Sequence, residues 1–172
     1  MISKRLAIEV LNLATATGAD FAEIYLEEDK TTSINIDNCK VEGCSDALTY
    51  GAGIRLLKGL QSVYGYTNDI SKKGLSKLAT SLAASFNAER CVEVTSISKV
   101  RVSKNHRPKV EYSTYPKEKI IEMLNEASKV VLDYDPKIVR CNATFQCNYK
   151  TLEIFNSEGK QVNDVRSRGR AF

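Results

Sequence analysis

From Gly51 to Asp69 the chain reads Gly-Ala-Gly-Ile-Arg-Leu-Leu-Lys-Gly, then Leu-Gln-Ser-Val-Tyr-Gly-Tyr-Thr-Asn-Asp. Two apolar runs of strand composition are punctuated by glycines, and a glycine inside a strand marks a bulge, a bend or a site where another backbone comes close. The Lys58-Gly59 connection between them is far too short for a crossover helix, so the two runs must pair antiparallel. The second run empties through Tyr66-Thr67-Asn68-Asp69 into an amphipathic stretch. A sheet built this way has one face under a helix and a glycine-relieved surface suited to an extended peptide.

The rest of the chain extends that pattern. Leu6, Ala7, Val10, Leu13 and Ala14 recur at helical spacing between Ser3 and Thr17, with Gly18 as the stop. Phe21–Glu28 and Ser33–Asp37 alternate as strands and read as a hairpin joined at Lys30-Thr31-Thr32. A turn near Asn38–Gly43 leads to a third strand ending at Tyr50, followed by strands at Gly51–Leu57 and Gln61–Tyr66. Asp69 or Ser71 caps a second helix whose stripe is Leu75, Leu78, Ala79, Leu82, Ala83 and Phe86.

Residues 89–116 form a long connection with an extended piece at Ser98–Val102. Pro116 opens a third helix with Ile120, Ile121, Leu124, Ala127, Val130 and Val131 as its apolar face, and Asp135-Pro136 ends it. Strands follow at Ile138–Cys147, Thr151–Asn156 and Gln161–Arg168, with turns at Asn148-Tyr149-Lys150 and Ser157–Lys160. The fold class is α+β: an antiparallel β-meander packed with helices, then a helix and a three-stranded antiparallel segment. The 172 residues suffice for one substantial core or two small ones. They read as a single α+β domain, with a subdivision at 1–90 and 110–172, and the final arginine strand reads as cut inside a larger polypeptide.

Much chemistry is excluded by what the residues cannot assemble. His106 is the sole histidine, so neither a two-histidine metal motif nor a serine triad has its parts, and no GxSxG elbow is present. Gly51 and Gly53 give only GxG, without the helix start that a phosphate cradle needs. Glu27, Glu28 and Asp29 read as solvated carboxylates. The five cysteines, odd in number and without a CxxC pair, read as reduced thiols, most of them buried as small hydrophobes. No apolar run approaches the roughly 20 residues that cross a bilayer, and Met1–Arg5 leads into an amphipathic helix, so a cytoplasmic chain is expected.

Gly18-Ala19-Asp20-Phe21-Ala22-Glu23-Ile24-Tyr25, the Gly51–Arg55 run with Gly59, and Gly65-Tyr66-Thr67-Asn68-Asp69 together resemble the N-terminal half of the TldD/PmbA family. Asn156-Ser157-Glu158-Gly159 with Asp164 and Arg166 resembles that family's later NSEG turn. The resemblance implies a cytoplasmic zinc metallopeptidase, labelled a modulator of DNA gyrase, that works as a homodimer or as a heterodimer of related subunits. It also implies peptide substrates such as microcin precursors. The family's zinc sits on an HExxxH motif in the C-terminal half, which this sequence does not contain. No catalytic or metal-binding residue is therefore assigned, and no cofactor on this chain, although zinc is implied for the full-length protein.

Four residues of the matched segments are candidates for lining a peptide groove or a subunit contact: Arg55, Tyr66, Asn68 and Asp69. Their ordinary structural roles would be surface strand charge, core aromatic, turn former and helix cap. A different reading is a free-standing interaction or nucleic-acid-binding domain that uses Arg166, Arg168 and Arg170, set on one strand face by a period of two. A third leaves zinc to a partner chain, with this one shaping a tunnel for a peptide or unfolded polypeptide.

Overall fold

The computed structural model describes residues 1–101 and 115–172. Three helices, α1 (Lys4–Ala14), α2 (Lys72–Ala83) and α3 (Lys117–Tyr134), accompany six strands. These are β1 (Phe21–Asp37), β2 (Lys40–Lys58), β3 (Gln61–Thr67), β4 (Ser98–Lys99), β5 (Asn142–Asn156) and β6 (Lys160–Ala171). The strand order is β3-β2-β1-β5-β6-β4. Pairing is antiparallel apart from the short β4, which runs parallel to β6. The α+β class is as expected.

Several strand boundaries are not. Lys30-Thr31-Thr32 is no hairpin connection: β1 runs unbroken for 17 residues, and its buried positions Ala22, Ile24, Leu26, Ile34 and Ile36 keep one parity throughout. β2 likewise runs unbroken through Gly51 over 19 residues, and Asn148-Tyr149-Lys150 lies inside β5. The reason is cross-strand compensation. Asp29 accepts hydrogen bonds from Asn148 at 3.1 and 3.2 Å and pairs with Lys150 at 3.5 Å, so polar residues that resemble turns satisfy one another across the β1–β5 ladder. Asp29 is accordingly not a solvated carboxylate.

The turns that do exist have the chemistry to make them. Asn38 and Cys39 both take positive φ (46° and 62°), the geometry of a two-residue hairpin turn, and Ser157–Gly159 joins β5 to β6. The extended piece near Ser98 is confined to Ser98–Lys99; its far end at Val102, and His106, lie outside the described residues.

Two compact units are present, and β1, β2, β5 and β6 each contribute residues to both. One comprises Met1–Glu28, Tyr50–Ser103 and Thr151–Asp164. Its core joins the inner faces of α1 and α2 (Val10, Leu11, Leu75, Ala79) to Ile24, Ile54, Leu56 and Phe155. Ser3 and Ser71 cap the two helices, each accepting a backbone N–H three residues on, from Leu6 and Gly74. Gly18, at φ 90°, packs against Ala88 where few other residues could turn the chain.

The other unit comprises Asp29–Thr49, Lys104–Lys150 and Val165–Phe172. Ile34, Ile36 and Ala143 of its strands meet Ile120 and Leu124 of α3. The apolar face read for α3 is only partly the one that packs. Ile120 and Leu124 are buried with Ser128, whereas Val130 and Val131 are exposed. The cysteines also differ from expectation: all five carry free thiols, and none is fully buried.

Candidate functional site

Because side chains alternate along a strand, burying Ala22, Ile24 and Leu26 of β1 and Ala52, Ile54 and Leu56 of β2 under the helices turns Glu23, Tyr25, Gly53 and Arg55 to the opposite face. In register, Arg55 stands opposite Tyr64 of β3, and Gly53 opposite Tyr66. Arg55 Nη2 pairs with Glu23 Oε1 at 2.9 Å, and the Tyr25 hydroxyl donates to Glu27 Oε2 at 2.7 Å. Glu23, Tyr25, Gly53, Arg55 and Tyr64 line a shallow depression of about 290 Å³.

The glycine is what lets this surface form. A Cβ at position 53 would lie 2.6 Å from the Tyr64 hydroxyl oxygen and 2.9 Å from its ring edge, so the ring occupies the space that a side chain there would take. Of the bulge, bend or close approach that Gly51 and Gly53 could mark, the structure shows close approach; neither has positive φ. At Gly51 the near group is the Thr67 carbonyl, 3.0 Å from a built Cβ.

Of the four candidate residues, Arg55 and Tyr66 share this outer face, whereas Asn68 and Asp69 lie in the turn from β3 to α2. Tyr66 is not a core aromatic: it is 81% exposed. Asn68 is exposed. Asp69 does not itself cap α2, since Ser71 does; it organises the approach, its N–H donating to Thr67 Oγ1 and its Oδ1 accepting from the Ser71 N–H, both at 3.0 Å. Hydrogen bonds from Ser71, with a smaller contribution from the Lys73 charge, hold its carboxyl below the ordinary 3.8. Sequence reading missed Glu23, Tyr25 and Tyr64. Strand alternation could have placed all three, but the partner of Gly53 needed the register.

The NSEG segment proves to be a scaffold hub. Asn156 Oδ1 accepts from the N–H groups of Glu158 and Lys160, and the Ser157 hydroxyl accepts from Ala22 N while Ser157 N donates to Ala22 O. Gly159, at φ 75°, presents its carbonyl to Ser98 N at 2.8 Å. Beneath it the buried Glu153 accepts from Gln161 and Asn163 side chains at 2.9 and 3.3 Å. Arg166, Arg168 and Arg170 are all exposed. Arg170 donates to Gln146 Oε1 and lies 5.3 Å from the Phe172 ring centre.

This surface offers a charge pair and phenolic hydroxyls but no nucleophile set against a base. Among the described residues no group of three His, Cys, Asp or Glu side chains could hold a metal ion, so these residues do not fit a metallopeptidase's metal. No described helix is long and apolar enough to cross a membrane.

Comparison with known proteins accounts for the arrangement. A family model described as PmbA/TldA metallopeptidase domain 1 matches residues 22–86, and one described as the PmbA/TldA metallopeptidase central domain matches 111–172. Metalloprotease TldD homologs of Buchnera aphidicola from Schizaphis graminum and from Acyrthosiphon pisum are 18% and 21% identical, each over 86% of this chain and 30% of their own length. The chain thus spans about a third of these relatives.

Among solved structures, one named as a modulator of DNA gyrase from Bacteroides thetaiotaomicron superposes with TM-score 0.73 at 17% identity, over 99% of this chain and 41% of that one. TldE from Thermococcus kodakarensis superposes with TM-score 0.63 at 14% identity, over 96% and 37%. The fold is theirs. With the glycine-relieved strands, the NSEG hub and both family domains in one order, the chain belongs to the TldD/PmbA metallopeptidase family.

Proposed function

We propose that this chain is the noncatalytic N-terminal part of a TldD/PmbA-like zinc metallopeptidase that processes peptides in the cytoplasm. Its role is to help enclose an extended peptide substrate and to build the dimer. The observation that carries this reading is the pairing of the family's first and central domains with a sequence holding a single histidine, from which HExxxH cannot be made. Zinc and the water it activates therefore belong to another part of the full-length protein. Substrate capture is supported by β3, which ends the strand order and carries the exposed Tyr64 and Tyr66. Edge strands take up extended peptides through main-chain hydrogen bonds, largely independent of sequence.

The test uses the 172-residue chain purified in the presence of zinc. Expected are no stoichiometric tightly held zinc by elemental analysis, no cleavage of an unfolded peptide, and saturable binding of that peptide by fluorescence anisotropy. One equivalent of retained zinc with peptide hydrolysis would sink the noncatalytic assignment. Absence of peptide binding would remove the enclosure role. A short DNA duplex in the same assay is expected not to bind at low salt, where phosphate contacts are strongest.

A further inference from the structure

We propose that residues 88–100 form a latch, a strap clamped along α1 that opens and closes as one unit while the core beneath it stays folded. Outside β4 this segment is neither helix nor strand, so its backbone polar groups depend on other elements. Side chains of α1 and its C-cap supply the partners. The Thr15 hydroxyl donates to Val92 O at 3.1 Å, and Lys4 Nζ donates to Ile97 O at 3.1 Å. Between them Asn12 Nδ2 donates to Val94 O and Asn12 Oδ1 accepts from Val94 N–H, both at 2.9 Å. Arg90 Nη2 reaches back to Asn12 O at 2.8 Å. The strap therefore runs antiparallel to the helix, and the lengths agree: Val92 to Ile97 in extended backbone and Thr15 back to Lys4 in helix each span about 17 Å.

Both ends of the strap are seated on glycines. A Cβ at Gly18 would lie 2.6 Å from Ala88 Cβ, and one at Gly159 would lie 2.8 Å from Ser96 O. These two glycines belong to the Gly18–Tyr25 and NSEG segments, so each of those segments makes room for one end of the strap. Ala88 N donates to Thr17 O at 3.2 Å, while Ser98 N and Val100 N donate to Gly159 O and Gln161 O at 2.8 Å. Little else holds it: of residues 88–100 only Val94 and Ile97 are buried. A segment with two apolar anchors and exposed hydrogen bonds opens well below the free energy of global unfolding. Asn12 is the positioning residue, because one carboxamide takes both polar groups of Val94 and fixes the register in which the two anchors are buried. The match to the family's first domain ends at residue 86 and that to its central domain begins at 111. The latch thus lies in the connection between the two, and opening releases about 40 Å of free contour there.

Amide hydrogen exchange of the 172-residue chain, read residue by residue by NMR, decides it. Ala88, Val94, Ser98 and Val100 are expected to share one protection factor, at least about tenfold below those of Val10 and Ile24 and insensitive to low urea, since a local opening exposes little surface. Asn12→Ala should lower protection at Ser98 and Val100, neither of which bonds to Asn12, by at least about fivefold while leaving Ile24 unchanged. Lys4→Met, at an exposed position, should act in the same direction on Val94 and Val100. Protection and urea dependence equal to those of Ile24 would overturn the latch. Unrelated protection at the four amides, or an Asn12→Ala effect confined to Val94, would overturn its opening as one unit. An equal loss at Ile24 in both variants would make these side chains part of the global core and overturn their role as a clamp.

Discussion

The ring of Tyr64 lies over the bare Cα of Gly53, on the diagonal two residues along β2 from its own register partner Arg55. Intrinsic strand preference alone would make Gly53→Val a gain, since β-branched residues favour strands. The packing reverses that. The valine methyls need the space of the Tyr64 hydroxyl and ring edge, so Gly53→Val is expected to cost about 1–2 kcal/mol, within the range of overpacking. In a Tyr64→Ala background most of that cost should vanish. A double-mutant cycle by urea denaturation measures the coupling; additive effects would show that the ring and the glycine are independent.

Gly74 gives a second reversal. It sits in the first turn of α2, where alanine would ordinarily add about 1 kcal/mol of helix stability. A Cβ there meets the carbonyl and carboxylate of Asp69, held in place by the Ser71 hydrogen bond. Gly74→Ala is therefore expected to destabilise the chain by about 2 kcal/mol, read as a lower urea midpoint with unchanged m-value.

The two sides of α3 separate in the same way. Leu124 is buried beside Ile34 and Ile36, so Leu124→Ala should cost about 2–4 kcal/mol. Val130, outside that buried stripe, is exposed; Val130→Ala should change monomer stability by less than about 0.5 kcal/mol. Thermal unfolding at a concentration where the chain is monomeric makes the comparison.

Asp69 sets a pH signature. Its folded carboxyl titrates below the ordinary 3.8 because of Ser71. Its stabilising contribution is thus complete above about pH 4 and disappears as pH falls through the folded value. Asp69→Asn should unfold at lower urea than the parent at pH 7, and the two curves should converge as the pH falls through the folded value. A difference that persists at low pH would assign the effect to shape rather than charge.

How much of this was legible beforehand follows from the range of each interaction. The helices were readable because their signals are local: the Ser71 cap lies one turn from the residue it satisfies, and Leu75, Ala79 and Ala83 repeat within one element. The Ser157–Gly159 turn was readable for the same reason. Lys30–Thr32 and Asn148–Lys150 misled because each, taken alone, has turn composition. Only the pairing of Asp29 with Lys150, 121 positions later, makes both into strand. The candidate surface shows the same division. Arg55 and Tyr66 could be singled out along the chain, but Glu23 and Tyr64 join them only once β1, β2 and β3 are side by side.

By itself the sequence determined the α+β class, the capped helices and the ordered glycine and NSEG segments that mark the family, because periodicity, caps and turn residues act within a few positions. The tertiary structure alone decided where the long strands continue, which stripe of α3 is buried, and that Gly53 is a seat for Tyr64. Those outcomes depend on which distant side chains share a ladder or a face. Burial, charge pairing and close packing are set by neighbours in space, and those neighbours do not exist until the strands align.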